Sequence, residues 1–224
     1  MPVDPLNDRV PETTAVRIPA AGVLLSADLA ISAEAEAIIV FAHGSGSGRH
    51  STRNRYVAET LNEYGFATLL ADLLTEEEEV IDLRTRHLRF NIPMLADRLV
   101  DITEWLQRES QTKHLKIGWF GASTGAGAAL IAAARRPENI MAVVSRGGRP
   151  DLAGDYLPEV IAPVLFIVGE NDPEVLELNK SALGRLNAPS KLEIVPNATH
   201  LFEEPGTLEA AALLAAQWFQ GHLI

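Results

Sequence analysis

Leu115-Lys-Ile-Gly-Trp-Phe-Gly-Ala-Ser-Thr-Gly-Ala-Gly-Ala-Ala-Leu130 is the stretch on which the fold turns. Leu115 to Phe120 reads as a buried strand, and Gly125 to Arg135 as an Ala-rich helix closed by Pro137. Between them Gly121-Ala-Ser123-Thr-Gly125 leaves no room for a loop. A turn this tight requires glycine at 121 and 125, where a side chain would collide with neighbouring backbone. It also holds Ser123 in a strained conformation with its hydroxyl exposed, at the N-terminus of a helix that favours negative charge.

Working outward, the same strand-then-helix alternation recurs on both sides. Upstream, Ala37-Ile-Ile-Val-Phe-Ala42 is a continuous apolar run that ends in His43-Gly-Ser-Gly-Ser-Gly48, followed by helical spacing from Asn54 to Tyr64. Phe66 to Ala71 is a strand ending at Asp72, and Met94 to Gln107 an amphipathic helix. Downstream, Ile140 to Ser145, Val164 to Val168 and Lys191 to Val195 read as strands. Helices are expected at Glu174 to Leu186 and Leu208 to Phe219. Val16 to Pro19 and Val23 to Ile31 form an opening hairpin around Ala-Ala-Gly. The pattern predicts one α/β domain over 16–224, with a mostly parallel, doubly wound sheet and antiparallel N-terminal strands. Residues 1–15 are expected to be a leader, and no insertion is long enough for a large lid domain. Residues 75–91, with the run Glu76 to Glu79, are the expected partial cover of the site.

Composition narrows the functions. A net charge of −11 argues against nucleic acid. The absence of cysteine excludes disulfides, thiolate metal sites and a cysteine nucleophile. The histidines are too scattered for metal-ligand spacing, so neither metal nor cofactor is expected. MPVDPLNDRVPETTAV lacks the basic start and apolar run of a secretory signal, and no apolar stretch is long enough to span a bilayer. A cytoplasmic protein acting on a small molecule is expected, and the sequence does not speak to oligomeric state.

In open α/β sheets ligands bind beyond the carboxyl ends of strands, and several strands here end in reactive side chains. Ser123 needs a base, and His200 in Asn197-Ala-Thr-His200 follows the last strand. The base needs a carboxylate, and Asp172 in Gly169-Glu-Asn-Asp172 follows the strand before it. Asp151 and Glu170 compete for that role. His43 reads as a brace for the loop after its strand, and Asp72 as a turn anchor. Arg49 and Arg53 in Arg49-His-Ser-Thr-Arg53 are candidates for binding an anionic substrate group.

Taken together, Phe41-Ala-His43-Gly44, Ala71-Asp72-Leu73, Gly121-Ala-Ser123-Thr-Gly125, Gly169-Glu-Asn-Asp172 and Ala198-Thr-His200 resemble the α/β-hydrolases of the dienelactone-hydrolase-like group, from about Val16 to the C-terminus. The resemblance implies a Ser123–Asp172–His200 triad and an oxyanion hole built from the backbone N–H groups of Thr124 and Ser45. One departure stands out: the dienelactone hydrolases proper carry cysteine where this chain has Ser123. The implied activity is hydrolysis of a carboxylic ester, lactone or thioester through an acyl-enzyme. A peptidase or acyltransferase with the same triad is the alternative among enzymes. A nucleotide- or phosphate-binding protein using the Gly-rich loops is the alternative from another class.

Overall fold

The alternating burial of β3 (Ala37–Ala42) explains the architecture. Ile38, Val40 and Ala42 pack into one hydrophobic cluster, while Ala37, Ile39 and Phe41 pack into another on the opposite face of the sheet. A strand covered on both sides needs helices on both sides. A computed structural model describes residues 11–224 and shows this arrangement.

Eight strands form one sheet in the order β1-β2-β4-β3-β5-β6-β7-β8. The hairpin β1 (Thr13–Ala20) and β2 (Val23–Ala30) is antiparallel and joins β4 (Ala67–Ala71) antiparallel. From β4 onward, through β5 (Lys116–Ala122), β6 (Ile140–Arg146), β7 (Val164–Gly169) and β8 (Ser190–Val195), every pairing is parallel. The expected doubly wound sheet with an antiparallel start is therefore present. The first strand opens at Thr13 rather than Val16, and residues 1–10 of the expected leader lie outside the described residues.

α1 (Thr52–Glu63) and α6 (Thr207–Leu223) cover one face. Gly118 lets α6 approach, because a Cβ there would lie 2.9 Å from both Ile39 and Phe219. α3 (Ile92–Arg108) and α4 (Thr124–Arg135) cover the other face, with Leu95, Leu99, Ile102 and Leu106 turned inward at helical spacing. α5 (Pro173–Leu183) follows β7, and a kinked 3-10 segment, Pro150–Glu159, follows β6. No helix among the described residues is long and apolar enough to cross a membrane.

The acidic run proves to be the first turn of a complete helix, α2 (Glu76–Thr85). Thr75 and Glu78 form a capping box: the Thr75 hydroxyl accepts the Glu78 N–H at 3.2 Å, and Glu78 Oε2 accepts the Thr75 N–H at 2.9 Å. Two ion pairs, each with one buried member, fasten the helix. Arg98 of α3 reaches Glu78 Oε1 and the Leu73 carbonyl, each at 2.5 Å. At the other end, the fully buried Asp82 pairs with Arg89 and accepts the N–H groups of Leu88 and Arg89.

Candidate active site

The site begins at the junction of β5 and α4. Ser123 has φ 49° and ψ −123°, a region that costs a non-glycine residue on the order of 1–3 kcal/mol. The flanking glycines are sterically required: a Cβ at Gly125 would lie 2.1 Å from the Ala42 carbonyl oxygen, and one at Gly121 2.4 Å from Ala126 Cα. Gly44 is pressed against Ser123 itself, since a Cβ there would lie 2.9 Å from Ser123 Cβ. The Ser123 N–H donates to the Arg146 carbonyl at 3.3 Å, and its carbonyl accepts from the Arg149 N–H at 3.0 Å. The serine is thus clamped between the loop after β3 and the turn after β6.

Asp172 and His200, the expected acid and base, sit on loops after β7 and β8 that are sewn together. The Asn171 N–H donates to the Ala198 carbonyl at 2.9 Å, the Asn171 side chain to the Asn197 carbonyl at 3.0 Å, and the Asn197 N–H to Glu170 Oε2 at 2.9 Å. Gly169 permits this contact, because its Cβ would strike the Ala198 carbonyl oxygen at 2.3 Å. Within this frame His200 Nδ1 meets Asp172 Oδ2 at 2.6 Å. The His200 ring borders the turn that clamps Ser123, with Cε1 and Nδ1 each 3.6 Å from the Cβ position of Gly147. The competing carboxylates are occupied elsewhere. Asp151 forms a two-pronged pair with Arg149 at 2.8 and 2.7 Å, and Glu170 serves the Asn197 N–H.

The other expected residues fall at the same edge in more varied roles. Thr124 N–H is the first of α4 and has no acceptor within the helix. The Ser45 N–H donates to Thr124 Oγ1 at 3.0 Å, which joins the two residues expected to supply oxyanion donors and engages one of those N–H groups. His43 is buried; its Nε2 accepts the Leu73 N–H at 2.9 Å, so Nδ1 carries the proton and donates to the Gly44 carbonyl at 2.9 Å. Burial holds its pKa below the usual imidazole range, against the opposing pull of the Gly44 hydrogen bond and the Asp72 charge. Asp72 anchors the loop by accepting the Arg49 N–H at 2.7 Å and pairing with the Arg49 guanidinium. Arg49 also stands 3.5 Å from Asp28, and Arg53 pairs with Glu203 at 3.1 Å. Both arginines already hold protein carboxylates.

A cleft of about 680 Å³ opens along the loop after β3, next to Ser123 but lined by none of Ser123, Asp172 and His200. It is lined by Gly44, Ser45 and Thr124, by Arg49 and Arg53, and by Glu76, Glu79 and Leu83 of α2. The segment expected to cover the site therefore borders it. Arg146, which the sequence presents only as the residue where an apolar strand stops, is buried, and its carbonyl accepts the Ser123 N–H. The signal was present: a charge ending a buried strand at the carboxyl edge.

Comparison with known proteins agrees with this architecture. The model of the dienelactone hydrolase family matches residues 24–220. The crystal structure of a dienelactone hydrolase from Anabaena variabilis superposes with a TM-score of 0.94 at 58% identity, covering 96% of this chain and 99% of that one. Est1E from Butyrivibrio proteoclasticus shares the fold, with a TM-score of 0.77 at 18% identity over 92% of this chain and 98% of that one. A Mycobacterium tuberculosis protein provisionally named a phosphoribosyl transferase is 56% identical over 219 residues, which are 98% of this chain and 47% of that protein. The chain thus spans about half the length of the curated relatives it matches. With matched residues running through nearly the whole fold and every element of the candidate site, the chain belongs to the dienelactone hydrolase family.

Proposed function

We propose that this chain is a serine hydrolase that cleaves a carboxylic ester, lactone or thioester of a small molecule through an acyl-enzyme on Ser123. Membership of the dienelactone hydrolase family supports hydrolase chemistry. The observation that carries the finer reading is the pairing of a strained Ser123 at the strand–helix elbow with a His200–Asp172 hydrogen bond of 2.6 Å at the same sheet edge.

In this mechanism Ser123 Oγ attacks the carbonyl carbon while His200 Nε2 takes its proton. Asp172 holds the opposite ring nitrogen in the protonated tautomer and stabilises the imidazolium. The carbonyl oxygen becomes an oxyanion facing the N–H groups of Thr124 and Ser45, each such donor commonly worth about 3 kcal/mol. To join, the Ser45 N–H turns from Thr124 Oγ1, or shares its proton with it. His200 then protonates the leaving group, and a water activated by the same ring frees the acid. The phosphoribosyl transferase name belongs to relatives of about twice this length and is not carried over.

The test is covalent labelling with a fluorophosphonate, with the modified peptide read by mass spectrometry, alongside turnover of 4-nitrophenyl esters. Labelling at Ser123 and loss of turnover in Ser123→Ala support the reading. Undiminished labelling or turnover in that variant removes it.

A further inference from the structure

Helix α2 is fastened from its inner side, where Glu78 pairs with Arg98 and Asp82 with Arg89. Glu76, Glu79 and Leu83 line the cleft. A third stripe of the helix serves neither purpose. Glu77, Val80, Ile81 and Arg84 stand at i, i+3, i+4 and i+7, the spacing that brings four side chains onto one helical face. All four are exposed, Val80 by 59% and Ile81 by 51%.

The fold explains only part of this stripe. Acid at the start of a helix and base at its end are what the helix dipole favours. The dipole does not account for valine and isoleucine standing in water between them. Both are β-branched, and such residues are poorer helix formers than the alanine or glutamate that suits an exposed helix position. The flanking charges are also unspent: among the described residues neither Glu77 nor Arg84 takes part in an ion pair, and the pairs of this helix belong to Glu78 and Asp82. Arg17 of β1 lies near Glu77 but donates to the Ser26 hydroxyl at 2.9 Å instead.

Turned end for end, the stripe is its own complement. A second copy rotated about an axis passing between residues 80 and 81 sets its Arg84 against Glu77, its Ile81 against Val80 and its Glu77 against Arg84. The same rotation lays the two helix dipoles antiparallel. A parallel pairing would instead oppose acid to acid and base to base. We propose that this face of α2 is an isologous interface through which two copies of the chain pair about a two-fold axis. Four side chains per copy cover less than the roughly 800 Å² per partner of a standard interface, so the dissociation constant lies on the order of tens of micromolar. None of the four lines the cleft, so the interface does not depend on the hydrolase reading.

The test is sedimentation velocity of the 224-residue chain from about 1 µM to about 300 µM, with melting followed on every variant. The wild type is expected to pass from monomer to dimer across this range. Glu77→Arg alone and Arg84→Glu alone each set like charges face to face and should raise the dissociation constant about tenfold or more. An equimolar mixture of the two variants sets two cations against two anions and should return the dimer at the wild-type concentration. Val80→Ser/Ile81→Ser removes the apolar centre at exposed positions, so association is lost while the thermal transition is retained. A wild-type chain that stays monomeric at the highest concentration overturns the proposal. So does a dimer that both single variants or the serine variant keep, or a mixture no more associated than its components.

Discussion

Asp172 Oδ2 and His200 Nδ1 lie 2.6 Å apart on two loops joined by three further hydrogen bonds. The carboxylate therefore fixes both the orientation of the imidazole and its tautomer. Asp172→Asn is expected to lower kcat on the order of 10³- to 10⁴-fold with the thermal transition retained. Asp151→Asn breaks only the Arg149 pair and leaves kcat near the wild-type value. Steady-state kinetics on the two variants with one aryl ester checks this, and the reverse ranking would reassign the acid.

The elbow predicts opposite stability effects at neighbouring positions. Ser123→Gly relieves a positive φ and should be roughly 1 kcal/mol more stable than Ser123→Ala, although neither variant turns over ester. Gly125→Ala drives a methyl into the Ala42 and His43 carbonyls and should cost about 3 kcal/mol or more. Urea unfolding of the three variants gives both comparisons.

His43 ties stability to pH. Its folded pKa is lowered from the ordinary 6.5, so the unfolded chain binds the proton more readily. The stability linked to the neutral ring is present above 6.5 and is lost as pH falls below it. The stability advantage of the wild type over His43→Gln should therefore shrink between about pH 7.5 and about pH 5, as read by urea midpoints. A constant advantage would mean that the ring does not titrate in that interval.

The Arg98 clasp predicts where the fold loosens first. Arg98→Leu leaves the Leu73 carbonyl and the Glu78 carboxylate without their partner and should cost about 3 kcal/mol. Hydrogen exchange should rise in α2 before it rises in α3 or the sheet, and uniform acceleration would contradict this.

The fold was legible because β3 and β5 are apolar on both faces, a pattern that admits helices on each side of a parallel sheet. The candidate site was legible because glycines, serine, aspartate and histidine sit just after strands. Pairing was not legible. The sequence offers Arg49 and Arg53 as free cations, and only the folded chain brings Asp72, Asp28 and Glu203 to them. Likewise, nothing local in Ser145-Arg146-Gly147 discloses that this arginine is enclosed without a described carboxylate beside it, or that the ring of Phe202 from another loop lies against it. The run Glu76 to Glu79 suggests a helix start, but its clasp depends on Arg98, twenty residues beyond Glu78.

One side of the cleft is lined by a ten-residue helix fastened at each end and supplying no member of the expected triad. Such a wall is an interchangeable panel. Its outward and inward side chains are free to diverge so long as Thr75, Glu78 and Asp82 keep their fastenings, while the elbow beneath tolerates almost no change. Substitutions at Glu79 or Leu83 would then reshape the cleft while the sheet and the loops at its carboxyl edge stay as they are.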